Sequence, residues 1–170
     1  MELILLRHPP VQAANRCYGR LDLPVAPEAL QHAVAQLQQW RGAVVYSSPA
    51  QRCLQLAQQL APAPIIWPEL QELDFGAWEG KCWDEIERAE LDAWAADIWH
   101  YRPGGGENAA DLRQRWQSVC RRLQDSGLAQ AVVVSHAGLI RMALADSGLI
   151  DEAQRWQATI AYNHPYRLEL

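Results

Sequence analysis

The chain has 170 residues, 49% of them hydrophobic and 21% charged, which excludes a disordered protein and fits a single domain, residues 1–170, able to bury roughly 70% of its unfolded surface. Its net charge of −5 argues against a nucleic-acid partner, which calls for a basic face. No apolar stretch reaches membrane-spanning length, and the N-terminal apolar run holds Arg7, so neither a membrane partner nor a signal peptide is expected.

Residues 3–6 are a short continuous apolar run, too short for a helix and not alternating, as in a strand covered on both faces. Residues 27–40 carry Leu30, Ala33, Val34 and Leu37 at helical spacing. Residues 43–46 predict a second strand. Ser48 reads as an N-cap and Pro49 as the first helical residue of 49–60, with Leu54, Leu56, Ala57 and Leu60 on one face. Residues 64–67, between prolines, predict a strand. The glycine run at 103–106 predicts a loop, and 108–123 a helix with Leu112, Trp116, Val119, Cys120 and Leu123 inward. Residues 131–134 are a strand and 139–144 a helix. Residues 159–162 and 166–170 look like strands near a sheet edge. Such alternation implies an α/β fold, a three-layer α/β/α sandwich with a mostly parallel sheet and an antiparallel edge strand. The four cysteines, at 17, 53, 82 and 120, lack CxxC spacing and read as reduced thiols of a cytoplasmic protein.

In a parallel sheet, ligands bind beyond the carboxyl ends of the strands. Three predicted strands end there in polar groups. The first ends in Arg7-His8, the second in Ser47-Ser48-Pro49 with Arg52 close behind, and the third in Ser135-His136. Two histidines and two arginines on one edge suit an anionic ligand. Arg52 near the start of a helix is disfavoured as a bare surface cation, yet well placed as a ligand of a phosphate drawn to the same helix N-terminus. Pro9 pushes His8 into extended geometry, and Pro10 stiffens the exit.

The segments "LLRHPP", "SSPAQR", "ELDFGAWEG" and "VVVSHAG", in this order and spacing, resemble the histidine phosphatase superfamily, the phosphoglycerate-mutase-like fold. "CYGRLDLPV" and "PGGGEN" are most similar to its alpha-ribazole phosphatase branch. The resemblance implies His8 as nucleophile, Glu72 as proton donor, and Arg7, Arg52 and His136 as the phosphate pocket, with His136 also counted as catalytic. It implies no metal and no cofactor. The usual signature continues Gly-Glu where this chain has Pro9-Pro10. The family's phosphate-contacting asparagine falls on Ala14, so Asn15 or Arg20 is the candidate replacement. The implied substrate is a small-molecule phosphate ester, with alpha-ribazole 5'-phosphate of cobalamin nucleotide-loop assembly named by the branch. A broad-specificity phosphatase, a phosphomutase and an inactive phospho-ligand-binding relative are the alternatives.

Several neighbours of these residues have ordinary structural readings. Asp74 and Glu79 are rival acids or loop groups. Glu107 reads as a helix cap, and Phe75, Trp78 and Trp83 as packing for the loop. A metal hydrolase built on His8 and His136 would seat its cation among arginines, with no tight ligand spacing.

Overall fold

In the computed structural model, which describes residues 1–13 and 15–170, the apolar runs become strands β1 (Glu2–Arg7), β2 (Val45–Ser47), β3 (Ile65–Ile66), β4 (Gln130–Ser135) and β5 (Pro165–Glu169). The helices are α1 (Pro27–Gln36), α2 (Gln51–Leu60), α3 (Arg88–Ala96), α4 (Ala109–Asp125) and α5 (Ala137–Asp146). The strands form one sheet in the order β3-β2-β4-β1-β5. Every pairing is parallel except β1 with β5. The expected three-layer α/β sandwich with an antiparallel edge is therefore the fold.

Period-two alternation in the two central strands divides the core. Leu3, Leu5, Ala131 and Val133 pack on one face against Leu112, Trp116, Leu139 and Ile140 of α4 and α5. Ile4, Leu6, Val132 and Val134 pack on the other against Ala33, Leu37, Leu56 and Leu60, from α1, the residue after it and α2. With both faces covered, neither strand has a polar side, hence the unbroken apolar runs. Each buried leucine or isoleucine contributes at most about 1.5–3 kcal/mol relative to an exposed one. The edge strand β3 is two residues long, with Ile65 and Ile66 at 42% and 47% exposure. A short edge offers little backbone to a stray strand.

The structure corrects several expectations. Residues 159–162 form no strand. Ile160 O accepts from Arg7 Nη1, Ala161 N–H donates to the Tyr166 hydroxyl, and the chain turns at Asn163 with φ 57°. Side chains take the backbone groups that a ladder would have used. The helix at 27–40 breaks at Leu37 and resumes as a 3-10 turn, Gln38–Trp40. The next helix starts at Gln51 rather than Pro49, and Ser48 is not its cap. Asp22, from a distant loop, accepts the Gln51 N–H instead. At α4 the cap is Asn108, which trades hydrogen bonds with Asp111. Glu107 is engaged elsewhere.

The register fixes the edge that matters. Arg7 lies opposite Ser135, and Ser47 opposite Val134. His8 N–H extends the ladder to Ser135 O, and Ser48 N–H donates to Val134 O. The strand exits carrying His8, Ser48 and His136 are thus side by side.

Candidate active site

His8 and His136 are both buried, their ring centroids 5.2 Å apart. His8 Nδ1 lies 2.7 Å from Pro9 O. A carbonyl only accepts, so Nδ1 carries the proton and Nε2 keeps a free lone pair. Burial, joined by the charges of Arg52 and Arg7 and opposed by the hydrogen bond to Pro9, lowers the His8 pKa to about 3. The imidazole is neutral, as a nucleophile must be. Pro9 supplies the carbonyl that a proline still has, and its missing N–H is not called upon.

Burial also pushes His136 well below the usual range, with His8 and Arg52 adding to the effect. Arg52 Nη2 is 3.3 Å from His136 Nδ1. A guanidinium only donates, so this nitrogen accepts, and Nε2–H donates to Ser48 Oγ at 2.8 Å. Ser48, read from the sequence as a cap, instead orients a histidine.

The two arginines are fastened from behind. Arg7 donates to Ile160 O at 2.7 Å and to the Tyr162 hydroxyl at 2.8 Å, with its guanidinium 3.8 Å from the Tyr162 ring centre. Arg52 sits in the first turn of α2 and donates to Gly19 O, to Leu21 O at 2.8 Å and to Asp22 at 3.2 Å. Among the described residues, Nε of each arginine is buried without a partner. With both histidines neutral, the cations of the site are Arg7 and Arg52, the second paired with Asp22 at 3.2 Å. Gly19 is obligatory on contact grounds: a Cβ there would fall 1.9 Å from Leu73 O.

Glu72 meets the same edge at the start of α5. Its Oε2 accepts from Gly138 N–H at 2.9 Å and its Oε1 from Leu73 N–H at 3.0 Å. Gly138 stands two residues after His136, so Glu72 is brought to the histidine pair through the helix terminus. Its main chain is clamped. Glu72 O accepts from Arg20 Nε at 3.2 Å and Arg115 Nη2 at 3.3 Å. Arg115 also forks onto Glu107, both contacts 2.8 Å, and Arg20 pairs with Glu107 at 3.1 Å. Burial alone would raise the Glu107 pKa, but Arg115 and Arg20 overcome it and hold the carboxyl below its usual range.

Of the residues expected at the site, the fold brings His8, Arg7, Arg52, His136 and Glu72 together. Arg20 is committed to Gln71, Glu72 O and Glu107. Asn15 is exposed with φ 60°, its carbonyl accepting from Trp83 N–H. Ala14, at the family's asparagine position, lies outside the described residues. Glu79, a rival acid, accepts from Gly19, Arg20, Leu21 and Phe75 N–H groups and so organises the loops. Asp74 accepts from Gly76 N–H. Asp22, Tyr162 and Gly138 were given no role of their own from the sequence, and Ser48 only that of a cap. The rule that selected His8 and His136, a polar group just beyond a strand, also selects Ser48. Nothing local marks Tyr162.

Beside Glu72 opens a cavity of about 150 Å³ walled by Phe75, Trp94, Ile98 and Trp156, with Arg141 at its edge. Phe75, expected only to pack its loop, does so against Trp83 and Trp94 and also lines this space. Among the described residues no three His, Cys, Asp or Glu side chains are grouped to hold a metal ion. Among them, too, no helix is long and apolar enough to cross a membrane.

The family model described as histidine phosphatase superfamily (branch 1) matches residues 3–170. The chain is 32% identical over 155 residues to the 6-phosphofructo-2-kinase/fructose-2,6-bisphosphatase of Caenorhabditis elegans, covering 84% of this chain and 33% of that protein. It spans about a third of the length of the curated relatives it matches. It superposes on the alpha-ribazole phosphatase from Shigella flexneri with a TM-score of 0.86 at 23% identity, covering 100% of this chain and 91% of that one. At that identity the likeness is one of fold. A phosphoglycerate mutase from Thermus thermophilus matches with a TM-score of 0.72 at 28% identity, over 87% of this chain and 85% of that one. With its fold, its strand-end histidines and a family match over almost its whole length, the chain belongs to the histidine phosphatase superfamily.

Proposed function

We propose that the chain is a metal-independent phosphomonoesterase that works through a phosphohistidine on His8, with alpha-ribazole 5'-phosphate as its substrate. The observation that carries the chemistry is the His8 Nδ1 bond to Pro9 O beside two guanidiniums. Nε2 attacks phosphorus while Arg7 and Arg52 offer donors to the phosphoryl oxygens, the positioning and charge that phosphoryl transfer requires. The bond from phosphorus to the ester oxygen breaks, and Glu72, in its acid form, gives that oxygen a proton. Water then attacks phosphorus, Glu72 takes the proton back, the phosphorus–nitrogen bond breaks and phosphate leaves. His136 reaches the phosphate by turning its Nε2–H from Ser48 Oγ to a phosphoryl oxygen. Arg20 and Asn15 enter this reading differently: Arg20 steadies Glu72, and Asn15 is a candidate contact at the loop after β1.

The alpha-ribazole reading is supported by the branch-like segments "CYGRLDLPV" and "PGGGEN" and by the fold-level likeness to the Shigella enzyme. The 32% identity to a fructose-2,6-bisphosphatase favours a sugar bisphosphate as the second reading. Two measurements test the proposal. Acid-labile phosphate should be trapped on the wild-type chain and not on His8→Ala, with turnover insensitive to EDTA. Label on His8→Ala overturns the nucleophile. In a substrate panel, alpha-ribazole 5'-phosphate should give a higher kcat/KM than fructose 2,6-bisphosphate and simple sugar phosphates, and equal values overturn the substrate.

A further inference from the structure

Glu72 faces two environments. Its carboxyl accepts from Gly138 N–H at the start of α5, two residues after His136. Glu72 and Gly138 both line the 150 Å³ cavity. That cavity is assembled from four stretches of chain: the loop holding Glu72 and Phe75, the region of Trp94 and Ile98, the start of α5 with Gly138 and Arg141, and the 3-10 turn Glu152–Gln157 that carries Trp156. Its aromatic wall is braced. Phe75 and Trp94 meet edge-on at 5.7 Å, and Trp94 lies parallel to Trp83 at 6.3 Å and edge-on to Trp78 at 5.8 Å. Arg141 Nε donates to Ala158 O at 2.7 Å, tying the segment just after Trp156 to α5.

The chemistry makes this position informative. The atom that Glu72 protonates joins phosphorus to the rest of the substrate. The carbon skeleton of the leaving group therefore begins within hydrogen-bond reach of the carboxyl. A cavity with that carboxyl in its wall is where the skeleton goes.

We propose that this cavity is the leaving-group subsite and that it selects alcohols bearing a flat aromatic ring. Braced ring faces and edges suit another ring, which pairs with them edge-to-face or offset. A sugar that carries no such ring would exchange its hydrogen bonds with water for apolar walls, with Arg141 and Glu72 to replace them, and buried polar groups without partners are costly. A second phosphate would meet one guanidinium beside a carboxylate. The inference rests on the phosphatase reading and narrows its substrates to aromatic-bearing phosphate monoesters rather than sugar bisphosphates.

The test compares 3-phenylpropyl phosphate with n-propyl phosphate, whose leaving oxygens are nearly equally basic because the ring is remote from them. Burying a phenyl ring should raise kcat/KM about tenfold or more. That ratio should fall toward one in Trp156→Ala, which removes a wall, and in Ile98→Phe, which fills the space. Equal values in the wild type overturn the proposal, as does a ratio that survives both substitutions. If neither ester is turned over and no phosphate is trapped on His8, the phosphatase reading has failed. The subsite is then judged by calorimetry with 3-phenylpropylphosphonate and n-propylphosphonate: at least tenfold tighter binding of the first upholds it, and equal affinities overturn it.

Discussion

Gly138 and Glu72 share a space that one methyl group would close: a Cβ at position 138 would lie 2.3 Å from Glu72 Oε1, while Gly138 N–H donates to Glu72 Oε2 at 2.9 Å. The clash is with the end of a flexible side chain, so the fold can accept it by moving the carboxyl.

Gly138→Ala should therefore act as a partial loss of Glu72. General acid catalysis contributes roughly 10²–10⁴-fold, and it matters most for a poor leaving group. Rapid-mixing bursts should show Gly138→Ala and Glu72→Gln slowed strongly on an alkyl phosphate and far less on p-nitrophenyl phosphate. Asp74→Asn and Glu79→Gln should show no such dependence. Equal slowing on both esters removes Glu72 from the role.

Arg52→Lys keeps a charge but loses the fork that reaches Gly19 O, Leu21 O and Asp22. Arg52→Ala loses both. A hydrogen bond to a charged group contributes roughly 1.5–3 kcal/mol. Vanadate inhibition should weaken about tenfold or more in the alanine variant and by less in the lysine variant. Unchanged inhibition in both would place Arg52 outside the anion site.

Stability should fall with acid. The folded protein holds His8 at about 3 against 6.5 in the unfolded chain. Between those values the unfolded state binds a proton that the folded state refuses. The stabilisation is fully present above pH 6.5 and is lost as pH drops toward 3, at about 1.4 kcal/mol per pH unit for each such histidine. His136 shifts in the same direction. Thermal unfolding from pH 7.5 to 5 should show Tm dropping, with a shallower slope in His8→Asn. An unchanged slope in that variant would contradict the burial argument.

Glu107→Gln leaves Arg20 and Arg115 without their shared carboxylate. Removing one partner of a fully buried ion pair costs about 3–5 kcal/mol; these groups are only partly buried and glutamine still accepts, so the loss should be about 1–2 kcal/mol. Urea unfolding checks the stability. Because both arginines also grip Glu72 O, kcat on an alkyl phosphate should fall more than KM rises, a split that a merely looser fold would not produce.

The central strands and four of the five α-helices could be read from the chain because their signal is local. An apolar run of four residues, or a stripe at helical spacing, already states which faces are covered. The histidines and arginines were legible for a related reason, since a parallel sheet makes strand ends neighbours. What escaped depends on distant partners. Residues 159–162 have strand composition, but Arg7 and Tyr166 take their backbone groups. The cap of α2 comes from Asp22, and Ser48 is drawn away by His136. Helix α3 has no buried residue, so it lacks the stripe that would announce it. Glu107 looked like a cap by position, and only the approach of two arginines makes it an ionic hub.

The hydrogen bond from His8 Nδ1 to Pro9 O bears on how this site tolerates genetic change. The acceptor is a main-chain carbonyl, which every amino acid carries. No substitution at position 9 can delete it by altering a side chain; a variant can only reorient it. Drift at that position therefore puts the backbone conformation at risk rather than the acceptor, and a proline, which holds that conformation stiffly, is compatible with a working imidazole where a glycine is customary in the family.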